Sequence, residues 1–138
     1  MSEDESSARP TATELDILRI LWDRGPSTVR EVHAALSAVR PIGYTGALKF
    51  LQIMAGKGSV VRDETERAHV YAAAEPPETT KRRVAGDLMR KVFAGSASQL
   101  VLHALQDQPA SPDDIAEIRA MLDAYEAQKT NKKKTATQ

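Results

Sequence analysis

Few residues in this sequence have the type and spacing that catalysis or metal binding requires. The three histidines, His33, His69 and His103, fall on separate predicted elements, and none has a histidine four residues away to complete a metal-binding pair. There is no cysteine, which excludes disulfides, thiolate metal sites and a catalytic thiol. The acidic pair Asp113 and Asp114 matches the charge expected at a helix start rather than two catalytic carboxylates. We therefore expect no enzyme activity, no metal and no cofactor.

Basic side chains are the second chemical feature, and they are concentrated in the first half of the chain. The whole protein has no net charge, with 19 basic and 19 acidic residues among its 138. Between Ile17 and Arg62, however, seven basic residues stand against only Asp23 and Glu31, a local charge of +5. The seven are Arg19, Arg24, Arg30, Arg40, Lys49, Lys57 and Arg62. This segment forms either a patch that attracts nucleic-acid phosphates or a set of solvated helix faces, and charge alone does not distinguish the two.

The two ends of the chain are polar and low in complexity. We predict disorder for residues 1–10, "MSEDESSARP", and for the tail at 128–138. The start is acidic rather than signal-like, and no stretch resembles a membrane span. A cytoplasmic protein is expected.

Two helices with capping boxes are predicted at the start of the folded region. Thr11 with Glu14, and Thr28 with Glu31, have the three-residue spacing that satisfies the free amides of a helix start. Apolar residues recur at three- and four-residue steps behind each cap. In the first helix these are Leu15, Leu18, Leu21 and Trp22, and in the second they are Val29, Val32, Leu36 and Val39.

A third helix is predicted over "GYTGALKFLQIM", residues 43–54. Leu48, Leu51 and Met54 form its apolar stripe, and Thr45 is the predicted cap. Gly46 is unexpected in the first turn, because glycine costs about 1 kcal/mol relative to alanine inside a helix. The glycine is therefore either a weakness of the helix start or a point of close approach.

A hairpin follows the three helices. "SVVRDETERAHVYAAA" predicts a strand at Val60–Arg62, an acidic turn at Asp63–Arg67 and a strand at His69–Ala73. Three short helices followed by a hairpin are typical of a winged helix-turn-helix domain, here residues 11–75. The predicted fold class is mainly α with a small β hairpin.

Three amphipathic helices are predicted after the proline break at "AEPPET". Their apolar positions are Val84, Leu88 and Val92, then Leu100, Val101 and Leu105, then Ile115, Ile118 and Leu122. Such short helices make a thin core by themselves, so they need a partner surface, and a second copy of the chain is the simplest. We expect residues 76–127 to form a helical dimerisation domain with these nine residues in the interface.

Several segments together resemble the penicillinase-repressor family, the BlaI/MecI type of winged-helix transcription repressors. They are "TELDILRILWDRGPSTVREVHAAL", "GYTGALKFLQIM", "RDETERAHVYAA" and, in the second half, "KVFAGSASQLVLHAL". The resemblance covers the chain from Thr13 to Tyr125. It implies a homodimeric repressor that binds a palindromic operator on double-stranded DNA through its first domain and dimerises through its C-terminal helices.

The resemblance also implies which residues contact DNA. The third helix would be the recognition helix, with its N-terminal end in the major groove. Tyr44, Thr45 and Lys49 would face DNA, and Lys49 and Arg40 would contact phosphates rather than bases. The full expected set is Arg30, Arg40, Tyr44, Thr45, Gly46, Lys49, Arg62 and Arg67.

The chain departs from its relatives at three positions in this region. Relatives commonly have threonine and valine where this chain has Gly46 and Ala47, and leucine where it has Ser59. The missing hydroxyl at position 46 would alter operator sequence or affinity.

The resemblance implies a further partner, because a membrane sensor peptidase cleaves the β-lactam-responsive members. Their cleaved asparagine–phenylalanine bond corresponds here to His103-Ala104, which does not match. The alternative is that "LVLHAL" is simply dimer core. A copper-responsive mechanism is excluded, since it needs cysteines.

A second functional hypothesis is a protein-interaction module, in which the winged helix and the apolar helices dock another protein without specific DNA binding. An exposed basic patch on the recognition helix would favour the repressor over this alternative.

Overall fold

The computed structural model describes residues 10–136, with side chains through residue 132. Of the predicted disordered ends, residues 1–9 and 137–138 lie outside the described residues. The described chain divides into two compact units that part between Asp87 and Leu88.

The first two helices begin at the predicted capping boxes. Helix α1 spans Ala12–Arg24, a short strand β1 spans Ser27–Thr28, and helix α2 spans Val29–Ser37. The amide of Glu14 donates to the Thr11 hydroxyl at 3.2 Å, and the Glu14 carboxylate accepts from the Thr11 amide at 3.0 Å. Thr28 and Glu31 repeat this arrangement at the start of α2. Both predicted boxes are confirmed.

Helix α3 spans Tyr44–Lys57 and so begins two residues earlier than it would with Thr45 as its N-cap. Its N-cap is Gly43, which provides no side-chain acceptor, so the prediction that Thr45 caps this helix is wrong. Thr45 instead lies within the first turn and is exposed. Gly58 ends the helix with a φ of +82°, a left-handed conformation that glycine adopts without steric cost.

The predicted hairpin is confirmed, and a third strand joins it. Strand β2 spans Val60–Asp63 and strand β3 spans Val70–Ala73. We call residues 60–73 the wing. The antiparallel sheet has the order β1-β3-β2, with Ser27 opposite Tyr71. The sequence did not predict strand β1, because two residues are too few to show the alternation of apolar and polar side chains that indicates a strand.

The core of the first unit forms where α1, α2, α3 and the sheet meet. Its buried members are Ile17, Leu18, Leu21, Val29, Val32, Leu36, Leu51, Met54, Val60 and Tyr71. Leu15, Trp22 and Leu48 pack against them half-buried. Val39 does not join the apolar face predicted for it, because α2 ends at Ser37 and Val39 is 63% exposed.

The remaining helices are α4 at Pro77–Lys91, α5 at Ala97–Asp107 and α6 at Pro112–Ala136. The boundary between the two units falls within α4. Helix α6 continues to Ala136, whereas the sequence predicted an unstructured tail from residue 128. Lysine, glutamine and alanine in this stretch have high helix propensities. No helix among residues 10–136 combines the length and apolar composition needed to cross a membrane.

Candidate nucleic-acid interface

The buried face of α3 anchors this helix in the first unit. Ala47, Leu51 and Met54 are all 0% exposed, and their spacing of four and three residues places them on one stripe. Helix α2 packs against α3, so the two form a helix-turn-helix pair. The sequence predicted Leu51 and Met54 in the core, and the structure confirms this.

The opposite face of α3 is exposed to solvent. Thr45, Lys49 and Gln52 are exposed and follow one another at steps of four and three residues, which aligns them along the helix. Tyr44, at the first position, is 49% exposed. Gln52 was not among the residues proposed from the sequence, although the same helical period that predicted the core identifies it.

Contacts within the chain hold the turn that leads into α3. The imidazole Nε2 of His33 is 2.9 Å from the carbonyl oxygen of Ile42, and the His33 ring meets the edge of Tyr44 at a centroid distance of 6.0 Å. A Cβ at Gly46 would lie 3.0 Å from Cγ1 and 3.3 Å from Cδ1 of Ile42. The glycine therefore allows Ile42 to pack closely over the first turn. The close approach is made by the protein's own turn.

Two of the five cations proposed for DNA contact are engaged within the protein. Arg40 donates to the Asp16 carboxylate at 2.9 Å and to the Thr13 hydroxyl at 2.8 Å. Arg62 forms an ion pair with Glu64 in the wing. A hydrogen bond with the Tyr71 side chain and the Glu64 charge raise the pKa of the Arg62 guanidinium. Both arginines therefore form contacts that stabilise the fold.

The other three cations, Arg30, Lys49 and Arg67, are exposed and have no ion-pair partner among the described side chains. They come from three elements: Arg30 from α2, Lys49 from α3 and Arg67 from the turn of the wing. We call these three residues the unpaired cations. The eight residues proposed for DNA contact thus comprise two paired cations, three unpaired cations and three uncharged residues. The uncharged residues, Tyr44, Thr45 and Gly46, lie at the start of α3.

The structure leaves fewer unpaired basic side chains in the predicted patch than the sequence count suggested. Four of its seven cations have acidic partners: Arg24 with Glu31, Arg40 with Asp16, Lys57 with Glu14 and Arg62 with Glu64. Three of those four partners lie outside residues 17–62 and were not in the count. Only Arg19, Arg30 and Lys49 of the seven remain without an ion pair in the part of the chain that the structure describes.

The ion pair of Lys57 and Glu14 is a structural contact. Lys57 donates to both carboxylate oxygens of Glu14 at 3.1 Å, and Glu14 is only 2% exposed. Burial alone raises the pKa of Glu14, but hydrogen bonds from Thr11 and Lys57 outweigh it and hold the pKa below its ordinary 4.5. The pair joins the last turn of α3 to the first turn of α1.

The other two departures from the family pattern do not lie on the exposed stripe of α3. Ala47 faces the core, so the change from valine there is a change in packing. Ser59 is half-buried and donates from its hydroxyl to the Met54 carbonyl at 3.2 Å. It lines a hollow of about 210 Å³ beside Leu18 and Glu14.

The second unit leaves its apolar side chains largely uncovered. None of its described residues is buried. Eight of the nine proposed interface residues lie in this unit: Leu100 and Ile118 are half-buried and the other six are exposed, with Val92 at 65% and Leu122 at 58%. The ninth, Val84, lies in the first unit and is half-buried. His103 and Ala104 are exposed within α5, and the His103 ring lies 5.7 Å from that of Phe93.

No group of three metal-ligating side chains occurs among the described residues. His33 lies in α2, His69 next to β3 in the wing and His103 in α5, so the three histidines are on separate elements as expected.

Comparison with known proteins agrees with this fold. The model of the family described as penicillinase repressor matches residues 10–124. Two relatives, each named transcriptional regulator BlaI and from the CDC 1551/Oshkosh and H37Rv strains of Mycobacterium tuberculosis, are 34% identical over 119 residues. The match covers 83% of this chain and 83% of each relative. This protein belongs to the penicillinase-repressor family of transcriptional regulators.

Proposed function

We propose that this protein is a homodimeric repressor that binds a palindromic operator through α3 and the wing. The observation that carries the proposal is the division of α3 into a buried and an exposed face. Ala47, Leu51 and Met54 fix the helix in the core, while Thr45 and Lys49 remain accessible. A recognition helix requires this combination, because its base-reading side chains must be both exposed and rigidly positioned.

The unpaired cations support DNA over a protein partner. Arg30, Lys49 and Arg67 come from the first helix of the pair, the exposed face of the second, and the wing. Cations free of internal partners can exchange counterions for phosphates, which supplies most of the sequence-independent affinity of DNA-binding proteins. Docking onto an uncharged protein surface would leave these charges without a function.

A second copy of the chain is proposed to cover the apolar side chains of the second unit. Val92 and Leu122 are more than half exposed in the single chain. Burial of apolar surface stabilises by about 25 cal/mol per Å², so pairing two such surfaces is favourable. A two-fold dimer would present two recognition helices to half-sites about 34–36 Å apart, which is why a palindrome is expected.

Relief by a membrane sensor peptidase remains a prediction carried by the family alone. His103 and Ala104 lie inside α5, and peptidases bind substrates as extended segments. Cleavage there would require this helix to unwind locally. A cytoplasmic location is likewise proposed, as DNA is the partner.

Selection of bound genomic fragments by the purified full-length protein tests the proposal. We expect enrichment of short palindromes, and the Thr45→Ala variant should bind the selected duplex more weakly than the wild type. Thr79→Ala is a matched control, since Thr79 is an exposed threonine on α4. Enrichment of no sequence, with binding no tighter than to random DNA, would contradict the proposed function and favour the docking alternative.

A further inference from the structure

Gln52 and Ile53 are exposed on α3 beyond Lys49, and neither has a role in the proposed function. Gln52 is exposed, and its amide has no hydrogen-bond partner among the described residues. Its neighbour Ile53 is 43% exposed, although isoleucine is among the residues most often buried. The exposed amide can exchange its water for a partner's donor and acceptor, and the apolar side chain beside it can contact an apolar group of the same partner.

The position of Gln52 relative to Thr45 follows from helix geometry. Seven residues separate them, which corresponds to a rise of about 10.5 Å and a rotation only about 20° short of two turns. The two side chains therefore lie on one line along α3. On the proposed recognition helix, Gln52 shares the DNA-facing side with Thr45.

On the C-terminal side of Gln52, the next position on this line is a glycine. Gly56, one turn further, is exposed and has no heavy atom within 4 Å of the place where a Cβ would stand. The surface of α3 one turn beyond Gln52 therefore has no protruding side chain. From this side, a base edge can approach Gln52 without displacing a larger side chain.

The chemistry of these side chains selects one base pair. A glutamine amide both donates and accepts, which matches N7 and the N6 amino group of adenine in the major groove. An apolar side chain beside it contacts the 5-methyl group of thymine, which no G·C pair presents. We propose that Gln52 and Ile53 read an A·T pair in each operator half-site, with Gln52 bonded to the adenine and Ile53 against a thymine methyl. This inference rests on the proposed function and adds a specificity-determining position to it.

Base analogues test each contact separately, using full-length protein and the selected operator. Replacing the proposed adenine by 7-deazaadenine removes the N7 acceptor, and replacing the thymine by deoxyuridine removes the methyl group. A good bidentate pair contributes a discrimination of about 1–3 kcal/mol, or about 5- to 150-fold in affinity. We expect 7-deazaadenine at one position to weaken wild-type binding several-fold and to leave binding by Gln52→Ala unchanged. Deoxyuridine should likewise weaken the wild type and leave Ile53→Ala unaffected.

Gln128→Ala is the matched control, because Gln128 is exposed on α6 outside the first unit. Its selected sequence should equal that of the wild type, whereas Gln52→Ala should lose the preference for A·T at one position per half-site. An unchanged sequence preference in Gln52→Ala, with tight binding by the wild type, would overturn this inference alone. Absence of sequence-specific binding by the wild type would overturn the proposed function as well.

Discussion

The salt dependence of operator binding distinguishes the two groups of cations that the structure separates. Among the described side chains, Arg30, Lys49 and Arg67 have no carboxylate partner, whereas Arg40 and Arg62 each have one. Every phosphate neutralised on duplex DNA contributes about −0.9 to the slope of log affinity against log salt. A dimer that uses only the unpaired cations should show a slope of about −5.4, and one that uses all five per protomer about −9.

Two substitutions make this difference measurable. Lys49→Ala in both protomers should reduce the slope by about 1.8 and weaken binding to all sequences about equally. Arg40→Gln should leave the slope unchanged, because a guanidinium that remains on Asp16 releases no counterion from DNA. Arg19→Ala is the control, since Arg19 is exposed, lies outside the proposed contact set and has no ion pair in the described part of the chain.

The assay is fluorescence anisotropy of a labelled operator, titrated at several salt concentrations between about 50 and 200 mM. The slope does not depend on the active fraction of a preparation, provided that this fraction is constant across the series. Equal losses of slope in Arg40→Gln and Lys49→Ala would show that Arg40 leaves Asp16 when DNA binds, which would refute the division drawn here. A slope that Lys49→Ala does not change would remove α3 from the interface.

Three further outcomes are expected. The pKa of Glu14 is lowered in the folded protein, so its contribution to the free energy of unfolding is present above about pH 4.5 and is lost as pH falls through the folded pKa. In urea unfolding at pH 7, Glu14→Gln should lower the free energy of unfolding by about 2 kcal/mol. It should also reduce the loss of stability that the wild type shows as the pH falls. Glu31 is exposed, so Glu31→Gln should have a smaller effect. Gly46→Thr should weaken operator binding despite its gain in helix propensity, because the new Cβ displaces the Ile42 side chain. Recovery of affinity in the double variant Gly46→Thr/Ile42→Ala would support this explanation. Tighter binding by Gly46→Thr alone would refute it. Leu122→Asp should convert the dimer to a monomer in light scattering at micromolar concentration, and a persistent dimer would place the interface elsewhere.

Local patterns account for what was predictable from the sequence. The two capping boxes join residues three apart, so Thr11 with Glu14 and Thr28 with Glu31 could be recognised without knowing the rest of the fold. The apolar stripes follow the helical period, which is why Leu51 and Met54 were placed in the core. The hairpin was visible because alternating strands flank a polar turn.

Contacts between distant residues could be found only in the tertiary structure. Arg40 pairs with Asp16 across 24 positions and Lys57 with Glu14 across 43, so both cations were counted as free in the sequence. Strand β1 exists only because β3, more than forty residues later, provides its partner at Tyr71.

The glycine in the first turn of α3 illustrates the same limit. Sequence identifies Gly46 as costly for a helix, but it does not show which group comes close to it. The fold brings the Ile42 side chain over that turn, at a distance that depends on how the chain bends between α2 and α3. Propensity and period are properties of neighbouring residues, whereas ion pairing and close approach depend on the path of the whole chain.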